Sequence, residues 1–330
     1  MNKIGLASIA AVVLTSGAMA GFNIDNAIEI TGAVKSFTGT GGLANARQRS
    51  QTDIYSTNWT TDSNGASYTV GNISTNVNAS AAGQGGWWCY SSGTGGNNAA
   101  LTNYKINVGS PPGRTGQSLS VSGSSTASGS RYMYQDLSAG WSGRNSAENT
   151  LWVEWDQYMA STASTTGVRQ GGVVYDTTGT RILCGLYVDY GTNSSGTRTK
   201  GTIYGISSYN NAGTIGNYIF KLSGVTMDDG SVSPMFAGSW NQIATNFNQD
   251  TGMVEWYYSS DNFATYTGFY VDGASAGFEV LEFDYYATST TGNTVAGVAT
   301  HGDLAVYTTP APGAVALVGL AGLMARRRRA

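Results

Sequence analysis

The 330-residue chain carries a formal net charge of −3, and only 11% of its residues are charged, far below the ~25% of an average soluble protein. This composition argues against nucleic-acid binding, which depends on Lys and Arg side chains that neutralise phosphates. The 8 Trp and 20 Tyr exclude a disordered chain, since disordered segments are poor in aromatic residues, and the Ser/Thr/Asn-rich remainder is typical of exported β-proteins.

The N-terminal sequence MNKIGLASIAAVVLTSGAMA has three parts. Lys3 supplies a positive start, an apolar run follows from Ile4 to Leu14, and Ala18-Met19-Ala20 is a small-x-small cleavage site. This order predicts a secretory signal peptide over residues 1–20, cleaved after Ala20, and hence an exported protein. The alternative is a retained N-terminal anchor.

The chain divides into four segments by composition. The signal peptide (1–20) is followed by residues 21–66, which lie outside the pattern of the main domain and add either a strand pair around Ile54–Thr60 or a loose extension. Residues 67–309 are predicted to form one β-sandwich domain. Residues 310–330 form a separate C-terminal signal.

Two tryptophans and two cysteines lie in apolar surroundings. Trp87 and Trp88 either offer a platform on which a sugar ring stacks or belong to the core. Cys89 follows them directly, and Cys184 lies in the sequence ILCGL. Export permits a disulfide between the two, while buried free thiols are an equally natural alternative. Two cysteines without a nearby histidine do not predict a metal site.

Apolar and polar residues alternate with a period of two along most of the chain, which predicts strands rather than helices. Gln249-Asp250-Thr251-Gly252 separates two such runs and predicts a hairpin turn. A dozen strands with frequent turn residues predict an all-β, two-sheet antiparallel sandwich. The predicted strands are Ser118–Ser122, Arg131–Leu137, Thr150–Met159, Gly172–Asp176, Arg181–Asp189, Gly201–Ser207, Tyr218–Ser223, Ser239–Phe247, Met253–Tyr258, Tyr266–Val271, Phe278–Tyr286 and Asp303–Thr308.

Several of these stretches together resemble a known sandwich. AAGQGGWWCYSSG, LWVEWDQYM, GSWNQIATNFNQDTGMVEWYY and the closing GDLAVYT are similar to elements of the concanavalin A-like (laminin G-like) jelly roll. The resemblance implies a convex and a concave sheet packed face to face, with terminal strands as neighbours and a concave face that binds or cleaves glycans. A pair of immunoglobulin-like sandwiches is the competing fold.

The stretch from Glu154 to Met159 contains the strongest indication of catalysis. Laminarinase-type glycoside hydrolases of this fold resemble it in carrying Glu-x-Asp-x-x-Glu on one strand, where the first Glu is the nucleophile and the last is the acid/base. Glu154 and Asp156 match, but Met159 stands at the third position and cannot donate a proton. We therefore expect no enzyme activity, and interpret Glu154 and Asp156 as glycan contacts or as an ordinary polar strand face.

Two further candidates have simpler explanations. His301 is the only histidine, and a polysaccharide lyase would pair it with Tyr or Arg, but its position before the last predicted strand favours a loop residue. Asp228-Asp229-Gly230 and Asp261-Asn262 could supply oxygen ligands to a structural Ca²⁺, and turn chemistry explains the same residues. We expect no cofactor and no catalytic metal.

The C-terminus combines prolines, an apolar run and a basic cluster. The run from Gly313 to Ala325 would be about 20 Å long as a helix, short of the ~30 Å hydrocarbon core of a bilayer. Arginines at a membrane segment's end stay cytoplasmic, which fixes its orientation. The residues of the signal are Pro310, Ala311, Pro312, Gly313, Arg326, Arg327, Arg328 and Arg329.

This three-part tail resembles the PEP-CTERM sorting signal of Gram-negative bacteria, with Ala311 where the commonest form has Glu. The resemblance implies transient membrane contact, cleavage near the Pro motif by an exosortase-type enzyme, and delivery to the cell surface. A plain membrane anchor explains the same residues without processing.

Two hypotheses about function follow. The first is a non-enzymatic, surface-sorted protein of the cell envelope or extracellular matrix that makes weak contacts with extracellular polysaccharide. The second is a degenerate or unrecognised glycoside hydrolase or lyase on a jelly-roll scaffold. A groove lined by two facing carboxylates ~5–10 Å apart would favour the second.

Overall fold

The structure, a computed structural model, describes residues 28–30, 32–40, 51–92, 100–109, 113–123, 129–159, 165–191, 202–224, 238–259, 263, 265–289 and 297–310. The predicted signal peptide, the proposed calcium ligands and the tail beyond Pro310 lie outside these residues. Among the described residues, no helix has the length and apolar character needed to cross a bilayer.

Most of the described chain is β-strand. Apart from two short 3-10 turns, its helical structure is α1 (Ser138–Gly143). The strands in chain order are β1 Ile28–Glu29, β2 Lys35–Thr40, β3 Thr52–Thr57, β4 Gly71–Asn72, β5 Trp88–Ser92, β6 Tyr104–Val108, β7 Gln117–Ser122, β8 Gly129–Asp136, β9 Thr150–Met159, β10 Thr165–Asp176, β11 Ile182–Gly191, β12 Thr202–Asn211, β13 Thr214–Gly224, β14 Ser239–Asn248, β15 Met253–Ser259, β16 Thr265–Asp272, β17 Val280–Ser289 and β18 Val298–Thr309.

These strands form two sheets. The first sheet has the order β1-β13-β12-β11-β10-β17-β8-β5, and the second has the order β2-β16-β15-β14-β9-β18-β7-β6-β4, with β3 also paired to β18. All pairs are antiparallel except β1 with β13. The predicted two-sheet sandwich is confirmed. Because strands from both ends of the chain share the second sheet, the competing pair of immunoglobulin-like sandwiches is wrong.

All twelve strands predicted from alternation are present, most of them longer than predicted. The hairpin between β14 and β15 is also present, and Gly252 has a φ of 75°, the left-handed conformation that glycine adopts without strain. Strands β1, β2, β4, β5 and β6 were not predicted. Within residues 21–66, the chain supplies β2 to one edge of the second sheet and β3 to the last strand β18.

The core lies between the two sheets and is rich in aromatic side chains. Trp155 and Trp256 project from the second sheet, and Phe220, Phe283 and Tyr285 project from the first. The ring centroids of Phe220 and Trp256 lie 5.4 Å apart, and those of Trp155 and Phe283 lie 5.9 Å apart. Each fully buried aromatic or aliphatic side chain contributes about 1.5–3 kcal/mol, so this layer supplies most of the stabilisation.

The structure contradicts a disulfide between the cysteines. Cys89 on β5 and Cys184 on β11 are both buried and free. Both belong to the first sheet, where β8, β17 and β10 separate their strands, so their backbones are roughly 19 Å apart at ~4.8 Å per strand. A disulfide tolerates a Cα separation of only about 7 Å. Burial raises the pKa of each thiol to about 12, so both remain protonated.

Candidate functional site

The outer face of the second sheet carries a groove over strands β9, β14 and β18. Strand alternation on β9 directs Val153 and Trp155 into the core and leaves Glu154 and Asp156 on this outer face. The groove has a volume of about 370 Å³. Its polar lining includes Gln51, Asp53, Ser56, Glu154, Asp156, Gln242, Asp303 and Tyr307.

A β-bulge in the last strand shapes the groove. His301 pairs with Gln157 and Leu304 pairs with Trp155, so two residues of β18, Gly302 and Asp303, lie opposite the single residue Asp156. Bulges of this kind redirect side chains and are common beside functional sites. Here the bulge brings the Asp303 carboxylate to the same face as Asp156.

Only glycine fits the first position of the bulge. A Cβ atom at Gly302 would lie 2.5 Å from Nη1 of Arg114 and 2.7 Å from Cβ of Asp156, both closer than van der Waals contact allows. Its carbonyl oxygen accepts a hydrogen bond from Nε1 of the buried Trp59. The backbone of the bulge is therefore held from the core, while the side chain of Asp303 faces the groove.

Arg114 connects the two aspartates. Its Nη1 donates to Oδ2 of Asp156 at 3.2 Å, and its Nη2 donates to Oδ1 of Asp303. The guanidinium also packs against the ring of Trp240 at 5.3 Å, and its Nε donates to the carbonyl of Gln117. These contacts fix the positions of both carboxylates.

Glu154 is held in a similar way from the other side. The hydroxyl of Tyr307 donates to its Oε1, and the side chain is 3% exposed. Tyr307 lies parallel to Trp152, which also stacks on Tyr257 at 5.4 Å. The tyrosine that holds the carboxylate is therefore itself fixed by aromatic packing.

The electrostatics favour neutral or hydroxylated ligands. Four carboxyl groups line the described part of the groove, those of Asp53, Glu154, Asp156 and Asp303, and the guanidinium of Arg114 pairs with two of them, so the balance is negative. Burial raises the pKa of Asp156, the nearby charge of Asp303 adds to the increase, and Arg114 opposes it. An anionic sugar entering the groove would meet like charges.

The structure does not restore the third position of the hydrolase motif, which Met159 occupies in the sequence. The register of β9 against β14 is unbroken from Thr150 to Met159, so the strand lacks the bulge that would bring position 159 to the face of Glu154. No group of three or more His, Cys, Asp and Glu residues in the described part of the chain is arranged to hold a metal ion.

The two tryptophans proposed as a platform have different positions. Trp87 is fully buried, and its Nε1 donates to the hydroxyls of Tyr55 at 2.9 Å and Tyr68 at 3.1 Å. The interpretation of Trp87 as a sugar-stacking residue is therefore wrong. Trp88 lies half-buried on the outer face of the first sheet and stacks on Tyr134.

The prediction of a loop position for His301 is also wrong. The last strand begins at Val298, earlier than its alternation suggested, so His301 lies within β18. Its ring is fully buried and stacks on Tyr285 with a centroid distance of 4.0 Å. Burial lowers its pKa to about 3, which keeps the ring neutral. The position is a core position, away from the groove.

Sequence reasoning identified Glu154 and Asp156 but missed Arg114, Asp303 and Tyr307. Tyr307 lies on the predicted last strand, on the same face as Ala305. If the pairing of that strand with β9 had been known, Tyr307 would have been placed on the face of Glu154. Asp303 depends on a bulge, and Arg114 depends on a long-range contact. Neither of these features leaves a local pattern.

Comparison with known proteins yields only distant structural likenesses. No protein-family profile and no curated protein matches the chain. Among solved structures it is similar to peanut lectin (11% identity, covering 68% of this chain and 97% of the lectin, TM-score 0.37) and to the alginate lyase from Klebsiella pneumoniae (11%, 64% and 85%, TM-score 0.40). It is also similar to a protein of unknown function from Shewanella oneidensis MR-1 (14%, 72% and 90%, TM-score 0.34). At such low TM-scores these likenesses carry no argument about function.

Proposed function

We propose that the protein binds a neutral polysaccharide in the groove on the second sheet and does not cleave it. The observation that supports this most is the fixed geometry of the carboxylates. Arg114 holds Asp156 and Asp303, so both present oriented acceptor oxygens, while Tyr307 holds the buried Glu154. Sugar hydroxyls are donors that pair well with such acceptors.

Fixed side chains also reduce the entropy lost on binding. Ordering a mobile side chain at an interface costs about 0.5–1.5 kcal/mol, and the groove avoids part of this cost because its acceptors are already in place. The low charge of the ligand follows from the four carboxyl groups in the lining. We therefore exclude uronates and sulfated sugars as preferred ligands.

The carbohydrate-active enzyme remains the second candidate because one observation favours it. Glu154 and Asp156 are two residues apart on one strand and share the groove, which separates their Cα atoms by about 6.5 Å. Inverting hydrolases also use two carboxyl groups that face one cleft, one as general acid and one as general base. The raised pKa of Asp156 is the kind of shift that a general acid needs.

We further propose that the protein acts outside the cell, at the surface or in the extracellular matrix. This rests on the sequence of the two termini: the signal peptide pattern of residues 1–20 and the sorting pattern of residues 310–330. The partners would be a membrane in transit, an exosortase-type processing enzyme and extracellular polysaccharide.

One experiment separates binding from cleavage. The full chain is titrated calorimetrically with neutral hexasaccharides (cellohexaose, laminarihexaose and maltohexaose) and with tetragalacturonate, and the products are assayed for new reducing ends. We expect saturable binding of a neutral probe without new reducing ends. Release of reducing ends that disappears in Glu154→Gln would support the enzyme instead, and no binding by any neutral probe would refute both the proposal and its ligand class.

A further inference from the structure

A second polar row lies on the outer face of the first sheet. On β17, Phe283 and Tyr285 point into the core, so alternation places Glu282, Asp284 and Tyr286 on the opposite face. We call these three residues the β17 row. It lies on the sheet that does not carry the groove, so the two regions share no residue.

An aromatic pair lies beside the β17 row. Tyr134 of β8 lies opposite Asp284, and Trp88 of β5 lies opposite Tyr134. The rings of Trp88 and Tyr134 are 6.1 Å apart and within 6° of parallel, and both side chains are half-buried. Because the two rings stack on each other, the pair offers an outer ring face and ring edges, still partly open to solvent, beside a polar row. The apolar face of a sugar ring stacks on such a surface, while its hydroxyls reach the neighbouring polar groups.

Three buried polar atoms on this face lack a hydrogen-bond partner in the described part of the chain. They are Oδ1 of Asp284 and the hydroxyls of Tyr286 and Tyr175, whose side chains are 5%, 0% and 2% exposed. Tyr175 lies opposite Glu282 in the sheet, so two of the atoms belong to the β17 row and the third lies beside it. A buried polar atom without a partner costs about 1–3 kcal/mol, and native proteins keep few of them. Such a cluster points to a bound hydroxylated group.

The charge state of the row limits the ligand. Burial raises the pKa of Glu282 to about 8, with the charge of Asp136 adding to the increase, and burial together with Glu282 raises the pKa of Asp284 well above its usual range. Both carboxyls therefore keep a proton to higher pH than usual, and a protonated carboxyl can donate a hydrogen bond. The next cation along this face, Arg169, forms an ion pair with Asp189 at 2.9 Å. Nothing here favours an anionic ligand.

From this juxtaposition we propose that the β17 row and the Trp88–Tyr134 pair form a second binding site for a neutral sugar. The ring packs on the exposed side of the Trp88–Tyr134 pair, and its hydroxyls bond to Asp284, the most exposed of the three unpartnered groups and the neighbour of Tyr134. The site goes beyond the function proposed for the groove, and it gives the protein two glycan contacts on opposite faces. A protein with this arrangement crosslinks polysaccharide strands.

The test uses calorimetric titration of the full chain with the same neutral hexasaccharides and with tetragalacturonate. Trp88→Ala should weaken one binding event by about tenfold, because it removes an aromatic contact of roughly 1–1.5 kcal/mol. Trp88→Phe should recover most of the affinity. Asp284→Asn keeps a hydrogen-bonding group of the same size and should retain binding that Asp284→Leu abolishes. Tyr270→Ala, at a half-buried tyrosine of the second sheet, is the matched control and should change nothing.

The outcomes separate this proposal from that for the groove. Binding that is lost in Trp88→Ala but kept in Glu154→Gln supports the second site whether or not the groove binds. Binding that depends only on Glu154 overturns the second site and leaves the groove proposal intact. Preference for tetragalacturonate, or full affinity in both Trp88→Ala and Asp284→Leu, also overturns it. Thermal melting of each variant verifies that it is folded.

Discussion

Asp303 lies beside Asp156 because the last strand carries one extra residue, and Arg114 pairs with both carboxylates. One guanidinium thus fixes two acidic side chains from different strands. Without the bulge, alternation would have turned one of these neighbours toward the core. The groove therefore depends on an irregularity of the sheet as much as on the identity of its side chains.

Removing the Arg114 guanidinium should leave the two carboxylates to repel each other. We expect Arg114→Met to lower the free energy of unfolding by about 1–2 kcal/mol, since Asp156 is largely buried while Asp303 is mostly exposed. The measurement is urea denaturation of single and double variants. In combination with Asp303→Asn, the loss should be smaller than the sum of the two single losses, and strict additivity would contradict the coupling.

The buried His301 predicts a loss of stability in acid. Its pKa is about 3 in the folded protein, against about 6.5 when exposed, so below pH 6.5 the unfolded chain binds a proton that the folded chain does not. Stability should fall as the pH decreases from 6.5 towards 3. His301→Phe keeps the stack on Tyr285 and should remove this contribution, which amounts to about 2 kcal/mol between pH 7 and pH 5. Equal pH dependence of the variant and the original protein would show that the imidazole titrates normally.

Glu282 predicts the opposite pH dependence. The pKa of Glu282 is about 8 in the folded protein and 4.5 in the unfolded chain. Between these values the folded protein keeps a proton that the unfolded chain loses, so stability falls as the pH rises from 4.5 to 8. Glu282→Gln should therefore become progressively more stable than the original protein over this range, by at least about 1 kcal/mol at pH 7. Denaturation midpoints measured from pH 4.5 to pH 8 test this. The exposed Glu29→Gln is the control, and a constant difference across the range would contradict burial of the proton.

The sorting signal predicts a shortened C-terminus. If residues 310–330 direct processing, protein isolated from the cell surface should end near Thr309–Gly313 and lack the four arginines, because a short apolar run is held only transiently in the membrane. Mass spectrometry of the native protein measures the terminus. Surface protein that still contains Arg329 would instead indicate a plain membrane anchor. A variant with serine at positions 326–329 should escape the membrane unprocessed.

The regular part of the fold could be predicted because one side of each strand is buried. Thr150–Met159 shows this most directly: its alternation gave the strand bounds and placed Glu154 and Asp156 on one face. The position of His301 could not be predicted, because the strand continues through a bulge that no turn residue announces. Arg114 and the paired aromatic rings of Trp88 and Tyr134 depend on which strands become neighbours. Alternation within a strand carries no information about that order.

The position of a bound sugar tests the central claim most directly. Crystals of the protein soaked in the neutral hexasaccharide that binds best should show a sugar ring in the groove, with hydroxyls within about 3 Å of the carboxylates of Asp156 and Asp303 and with the glycosidic bonds intact. A soaked crystal in which the sugar is saturating in solution but absent from the groove would contradict the account, as would a cleaved sugar held between Glu154 and Asp156.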